Sequence, residues 1–201
     1  EKAEAMEEIV GPFVADDFIR GEVKALPKRG INEETSRKFD YRISRYNGKT
    51  CQVANYYKDR KLVAQKLRYA DKSFQWLGST KDCGLYGEWL WRDGGKMIVV
   101  TEGELDALSL SMVQSNKWPV VSVKNGAQGA KKDIQKSLEF LEGFDTVVFM
   151  FDMDEPGRLA ASACASVLTP GKAKIADLPL KDANEMVLQK KTKELIDAVW
   201  G

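Results

Sequence analysis

Histidine is absent from these 201 residues. That excludes every Ser-His-Asp or Cys-His catalytic arrangement and any His-ligated zinc. Cysteine is scarce: Cys51, Cys83 and Cys164 stand far apart and form no Cys-x-x-Cys pair, which excludes a zinc ribbon within these residues. No apolar stretch approaches the roughly 20 residues a membrane helix needs. The opening Glu1-Lys2-Ala3-Glu4 lacks a signal-peptide pattern, so the expectation is an intracellular chain without membrane contact. A first residue other than Met suggests a fragment or a processed chain, with neighbouring domains missing. A dominant charge is missing too, since 31 basic against 30 acidic residues leave a net +1, and any polyanion would have to be held by local patches. Nothing matches Gly-x-x-x-x-Gly-Lys-[Ser/Thr], so an ATP-driven motor is not supported. Carboxylates, lysines and arginines must carry the chemistry.

What is present is an acidic turn at the end of a buried run. Val147-Val148-Phe149-Met150-Phe151 delivers Asp152 and Asp154, and strand alternation puts the two carboxylates on one side. Upstream, Met97-Ile98-Val99-Val100-Thr101 ends in Glu102-Gly103-Glu104 and a helix-like segment carrying Asp106. If the two runs are neighbouring parallel strands, these acids converge outside the carboxyl edge, where open α/β sheets bind ligands. A bound divalent cation would relieve their mutual repulsion. The plainer alternative is a pair of loops with acids at helix starts, favoured by the helix dipoles.

With 43% hydrophobic residues the chain can bury the core of one larger domain or two small ones. Two textures divide it into 1–92 and 93–201, with Arg92-Asp93-Gly94-Gly95-Lys96 as the boundary turn. In the first part, residues through about Pro12 read as an arm, and Asn32 caps a short helix through Glu33 to Phe39. Tyr41 to Tyr46 and Thr50 to Tyr57 join across Asn47-Gly48, a strong hairpin signal, and Leu62 to Tyr69 and Phe74 to Leu77 extend an antiparallel meander. In the second part, strands at Met97–Thr101, Pro119–Val123, Thr146–Phe151 and Lys174–Leu178 alternate with helices from about Leu105, from about Lys131 and after Gly157. That pattern predicts a mainly parallel sheet flanked by helices, so the fold class is α/β within an α+β whole.

Lys66 and Arg68, two apart in a predicted strand, share a face, with Lys72 in the next turn and Tyr69, Phe74 and Trp76 nearby. This suits phosphate contacts with base stacking; a solvated strand face with its aromatics in the core is the alternative. Facing a carboxylate-metal centre, such a sheet would form a groove for a polyanion. The turn Lys124-Asn125-Gly126-Ala127-Gln128-Gly129-Ala130-Lys131-Lys132 lies between strand and helix, where backbone amides can receive phosphate. In Lys181-Asp182-Ala183-Asn184-Glu185, Asp182 reads either as a helix cap or as part of the acidic site.

Val100-Thr101-Glu102-Gly103-Glu104-Leu105-Asp106-Ala107-Leu108, paired with Phe151-Asp152-Met153-Asp154-Glu155-Pro156-Gly157-Arg158, resembles the glutamate and Asp-x-Asp motifs of a Toprim domain. Together with Lys181-Asp182-Ala183-Asn184-Glu185, Arg29-Gly30-Ile31 and Gln65-Lys66-Leu67-Arg68, the chain is similar to the primase part of bifunctional phage primase-helicases, the group related to Twinkle and to DnaG-type bacterial primases. It departs from them at Lys124-Asn125-Gly126-Ala127, where Gly-His-Gly-Ala would be expected. The resemblance implies RNA primer synthesis from ribonucleoside triphosphates on single-stranded DNA, with magnesium or manganese. It implies Glu102 as general base or organiser of the metal site, Asp152 and Asp154 as the principal metal ligands, and Asp106 and Asp182 as their supports. Lys66, Arg68, Lys72, Lys131 and Arg158 would hold phosphates. It further implies partners: a zinc-binding domain and a ring helicase in the full-length protein, and a DNA polymerase. A noncatalytic Twinkle-like DNA-handling module, mitochondrial in that case, and a Toprim nuclease are the competing functions.

Overall fold

The computed structural model describes residues 18–201, so the arm expected through Pro12 lies outside the described residues. The described residues divide into two compact units: Lys28–Gly30 and Leu85–Gly201 form the second, and 18–27 with Ile31–Gly84 form the first. The turn expected as boundary, Arg92 to Lys96, lies inside the second unit. The reason is local: Tyr86 exchanges both backbone hydrogen bonds with Ser122, and the Trp91 indole N–H donates to the Val120 carbonyl at 2.9 Å. The compact units part at Gly84/Leu85, a few residues before the 1–92 and 93–201 limits expected from the sequence, with Lys28–Gly30 also in the second unit.

The first unit holds β1 (Glu22–Val23), α1 (Glu33–Phe39), β2 (Tyr41–Tyr46), β3 (Lys49–Lys58), β4 (Lys61–Tyr69) and β5 (Phe74–Gly78), the strands ordered β1-β2-β3-β4-β5 and all antiparallel. Asn32 caps α1 by accepting from the Thr35 N–H at 2.9 Å, at the position its sequence predicts. Tyr46 pairs with Lys49 across Asn47 (φ 50°) and Gly48 (φ 77°), the two positive dihedrals a tight hairpin turn demands. On one face Cys51, Val53 and Leu67 form the apolar core. Asp40, in the left-handed conformation at the end of α1, accepts hydrogen bonds from Arg42 Nε, Asn55 Nδ2 and the Tyr57 hydroxyl, while Gln65 donates to Asn55 Oδ1. Burial beside the Asp40 charge pushes the Tyr57 hydroxyl far up from its ordinary value.

The second unit holds β6 (Gly95–Thr101), α2 (Glu104–Val113), β7 (Val120–Ser122), α3 (Gly126–Lys136), α4 (Leu138–Glu142), β8 (Phe144–Met150), α5 (Glu155–Ala165), β9 (Ala173–Ile175), α6 (Ala183–Leu188) and α7 (Thr192–Trp200). Its four strands run β7-β6-β8-β9, all parallel. The central strands β6 and β8 are buried on both faces, which is why they read as continuous apolar runs. Ile98, Val100, Val121, Val147, Phe149 and Phe151 pack with Ala160, Ala161 and Cys164 of α5. The alanines let that helix lie close to the sheet. Two helices start earlier than the sequence suggests: α3 at Gly126 rather than near Lys131, and α5 at Glu155, capped by Asp154. Among the described residues no helix is long and apolar enough to cross a membrane.

Candidate metal centre and basic strand face

Register brings the acidic ends together. Thr101 of β6 pairs with Met150 of β8, so Glu102 and Phe151 leave the sheet side by side, and the Asp152 N–H donates to Glu102 Oε1 at 3.4 Å. A third acid arrives from further along the chain: the Met153 N–H donates to the Lys181 carbonyl at 2.7 Å, tying the loop before α6 to the turn after β8. Asp106, in the first turn of α2, completes the set. One carboxylate oxygen from each of Asp106, Asp152 and Asp182 lies within 4.8 Å of the others. Asp182 also accepts from the Glu185 N–H at 2.8 Å, so the two readings of this residue, cap and site member, hold together.

The charges are held against their own repulsion. Burial, then the Asp182, Asp152 and Glu102 charges, raises the Asp106 carboxyl well above its ordinary value. Burial followed by Glu102, Asp182 and Asp154 raises Asp152 to about 7, with Lys181 opposing. Glu102 is raised as well, chiefly by burial. Desolvated carboxylates from three elements, offering only hard oxygen donors, fit a divalent cation of the magnesium or manganese type.

Asp154 behaves differently from its partner in the Asp-x-Asp pair. Strand β8 ends at Met150, so alternation no longer governs either residue: Asp152 is half-buried and Asp154 exposed. Asp154 Oδ1 caps α5 by accepting from the Gly157 N–H at 2.8 Å. Gly157 is required here, because a Cβ would overlap the Asp152 carbonyl oxygen. A cavity of about 170 Å³ opens beside Asp152, lined by Met153, Arg158, Ser162, Ile175 and Asp177 among others. Arg158 at its rim pairs with Asp177 at 3.6 Å.

In the first unit, Lys66 lies opposite Trp76, and Arg68 opposite Phe74, across the β4–β5 pairing. Lys66 Nζ sits 4.8 Å from the Phe74 ring centroid and 5.7 Å from that of Trp76, so a cation and two aromatic rings share one strand face. Gln65 and Leu67 are buried on the other side. Lys72 is exposed in the following turn at φ 71°. Lys131 is exposed in the second turn of α3, since that helix begins at Gly126. Of the turn before it, Lys124 is engaged internally: its N–H and Nζ donate to Asp133 at 2.9 and 2.7 Å, both side chains buried. Three residues without an assigned role of their own in the sequence bear on the centre. They are Lys181, whose charge favours ionised Asp152 and Glu102, and Asn184 and Ser109 behind Asp106. Lys181 and Asn184 lay within the Lys181–Glu185 motif, and Ser109 was signalled only by its place three residues after Asp106.

An antiparallel sheet unit joined in sequence to a parallel sheet with carboxylates at its carboxyl edge defines a class, the Toprim proteins of the primase type. Residues 21–78 match the N-terminal α+β fold of the bacteriophage T7 DNA helicase/primase, and 99–187 match a Toprim-like family. The chain belongs to the T7-type phage primase-helicase family. It is 42% identical to the DNA helicase/primase of Enterobacteria phage T3 over 182 residues, 90% of this chain and 32% of that protein. It therefore spans about a third of the length of that curated relative. The primase fragment of the bacteriophage T7 primase-helicase superposes with a TM-score of 0.85 at 44% identity, covering 90% of this chain and 75% of the fragment. The same scores hold for T7 primase domains solved with the lagging-strand DNA polymerase, an RNA/DNA hybrid and dTTP, where 92% of that chain is covered. The DnaG catalytic core shares the fold alone, at a TM-score of 0.66 and 16% identity over 100% of this chain and 79% of that core.

Proposed function

We propose that this chain is the polymerising part of a DNA primase, joining ribonucleoside triphosphates into short RNA primers on a single-stranded DNA template. The observation that carries the reading is the convergence of Asp106, Asp152 and Asp182 within 4.8 Å at the edge of a Toprim sheet. These three would hold magnesium or manganese. When bound, the metal supplies charge neutralisation at the α-phosphate and activation of the attacking 3′-hydroxyl. Glu102, its carboxyl raised by burial and adjacent to the Asp152 backbone, is the group suited to take the hydroxyl proton. Asp154 keeps the turn in shape by capping α5 and adds negative charge beside Asp152, and as a catalytic carboxylate it would act from the exposed side. Lys66, Arg68 and Lys72 would hold template or nucleotide phosphates, with Phe74 and Trp76 offering rings for stacking. Arg158 would exchange Asp177 for a phosphate, and Lys131 would add a more distant positive charge.

By the same reading the whole protein works in the cytoplasm of a phage-infected host with a zinc-binding domain, a ring helicase and a DNA polymerase as partners. The test is incubation of the chain with single-stranded DNA, ribonucleoside triphosphates and magnesium or manganese, scored for oligoribonucleotides that chelator abolishes. Tight DNA binding with no synthesis, even with a zinc-binding domain added in trans, would replace the proposal with a noncatalytic Twinkle-like module. Metal-dependent cleavage of labelled DNA or RNA without nucleotides would replace it with a nuclease.

A further inference from the structure

Asn184 carries no charge and lies outside the acidic trio, yet it is 4% exposed and hydrogen-bonds in four directions. Its backbone N–H, an orphan donor in the first turn of α6, donates to Asp106 Oδ1 at 3.0 Å. Its side-chain amide donates to Ser109 Oγ and to the Arg29 carbonyl, both at 2.9 Å, and its Oδ1 accepts from Arg29 Nη1 at 3.4 Å. Ser109 stands three residues after Asp106, on the same face of α2. It is fixed in turn by donating to the Leu105 carbonyl at 2.7 Å.

Asn184 thus brackets two elements that each supply one carboxylate. Asp182, at the cap of α6, is two residues before it, and Asp106 of α2 is bonded directly to its N–H. The side-chain amide sets the spacing of α6 from α2 and from the Lys28–Gly30 segment of the same unit. Loss of that amide would leave Ser109 and the Arg29 carbonyl without this partner and let the two carboxylates drift apart.

We infer that Asn184 is a positioning residue for the metal centre, acting through its hydrogen bonds to Asp106, Ser109 and Arg29 to hold the Asp106 and Asp182 carboxylates at ligating distance. The inference rests on the metal reading proposed above. Groups that orient metal ligands are typically worth about 10- to 100-fold in metal affinity.

The experiment is calorimetric titration of the full chain with Mn2+ alone, below its melting transition, on native, Asn184→Ala and Gln189→Ala chains, with thermal melts alongside. Gln189→Ala, an exposed change just after α6, binds as native. Asn184→Ala raises the Mn2+ dissociation constant by about 10- to 100-fold. A merely structural Asn184 would lower the melting temperature and leave the constant unchanged, which overturns the inference. Should Asn184→Ala fail to fold, Ser109→Ala removes one acceptor of the same amide: a raised constant supports the inference and an unchanged one overturns it. Native chain that takes up no Mn2+ would remove the metal reading and the inference with it. Native uptake with unchanged variants would remove the inference alone.

Discussion

Neutralising Asp152 should make the metal-free protein more stable at alkaline pH, against the usual expectation for altering a site residue. The folded chain raises this carboxyl from an ordinary 3.8 to about 7, mainly by burial and then by Glu102, Asp182 and Asp154. A raised folded value means that the folded state holds the proton more tightly than the unfolded chain does. The associated stability is complete below about pH 4 and is lost as pH rises through about 7. At about 1.4 kcal/mol per pKa unit the full difference is roughly 4 kcal/mol, and solvent screening of a half-exposed carboxylate cuts it to about 2 kcal/mol. Asp106 is raised in the same direction, so Asp152→Asn flattens the decline without abolishing it. For a chain of this size about 2 kcal/mol is some 4–8 °C in Tm. Thermal melts in chelator at about pH 5 and about pH 8 measure it: more than a third of the effect is already lost between 3.8 and pH 5, so the Asn variant should gain on the native chain by roughly 60% of that amount across the interval. Saturating Mn2+ at the higher pH should restore the native chain and not the variant, because the ligands must be ionised to bind. A native-to-variant difference that stays the same at both pH values refutes the reasoning.

Three further outcomes follow from other contacts. Gly157→Ala should force the Asp152 carbonyl aside, lowering both Mn2+ affinity by titration and stability by about 1–3 kcal/mol in denaturant melts. Asp133→Ala removes the carboxylate that accepts from both the Lys124 N–H and its buried ammonium and should cost about 3–5 kcal/mol in denaturant melts; a cost below about 1 kcal/mol would contradict this. Lys66→Ala should weaken single-stranded DNA binding and, by deleting one phosphate contact, reduce the slope of log K against log salt by about 0.7, read by fluorescence anisotropy across a salt series.

The parts of this structure that local chemistry dictates were legible in the sequence. Asn32 before Glu33, and Asn47-Gly48 between alternating runs, act through their own hydrogen bonds and dihedrals, and both elements form at the expected residues. Strands β6, β7 and β8 were legible because burial on both faces leaves unbroken apolar runs, whereas the edge strand β9 is only partly buried and ends at Ile175, short of the expected Leu178. Helix α3 was misjudged by its first turn because Gly126 and Gly129 suppress the helical signal, and the Asp59-Arg60 turn has positive φ (51° and 65°) at residues that do not advertise it. In the site, Glu102, Asp106 and Asp152 were visible as acids at strand ends. Which acids meet was not, because the Asp182 position depends on the Met153–Lys181 backbone hydrogen bond and on Asn184 bridging to Ser109, contacts across long stretches of chain. Strand alternation suggested Asp154 beside Asp152, but the strand stops before either.

The proposed polymerisation of ribonucleotides at the carboxylate cluster is tested by extension of a supplied ribodinucleotide on single-stranded DNA by the native chain and by Asp152→Ala at equal concentration, with magnesium or manganese. Metal-dependent extension by the native chain and none above background by the variant is the expected result. Equal product from both would contradict it.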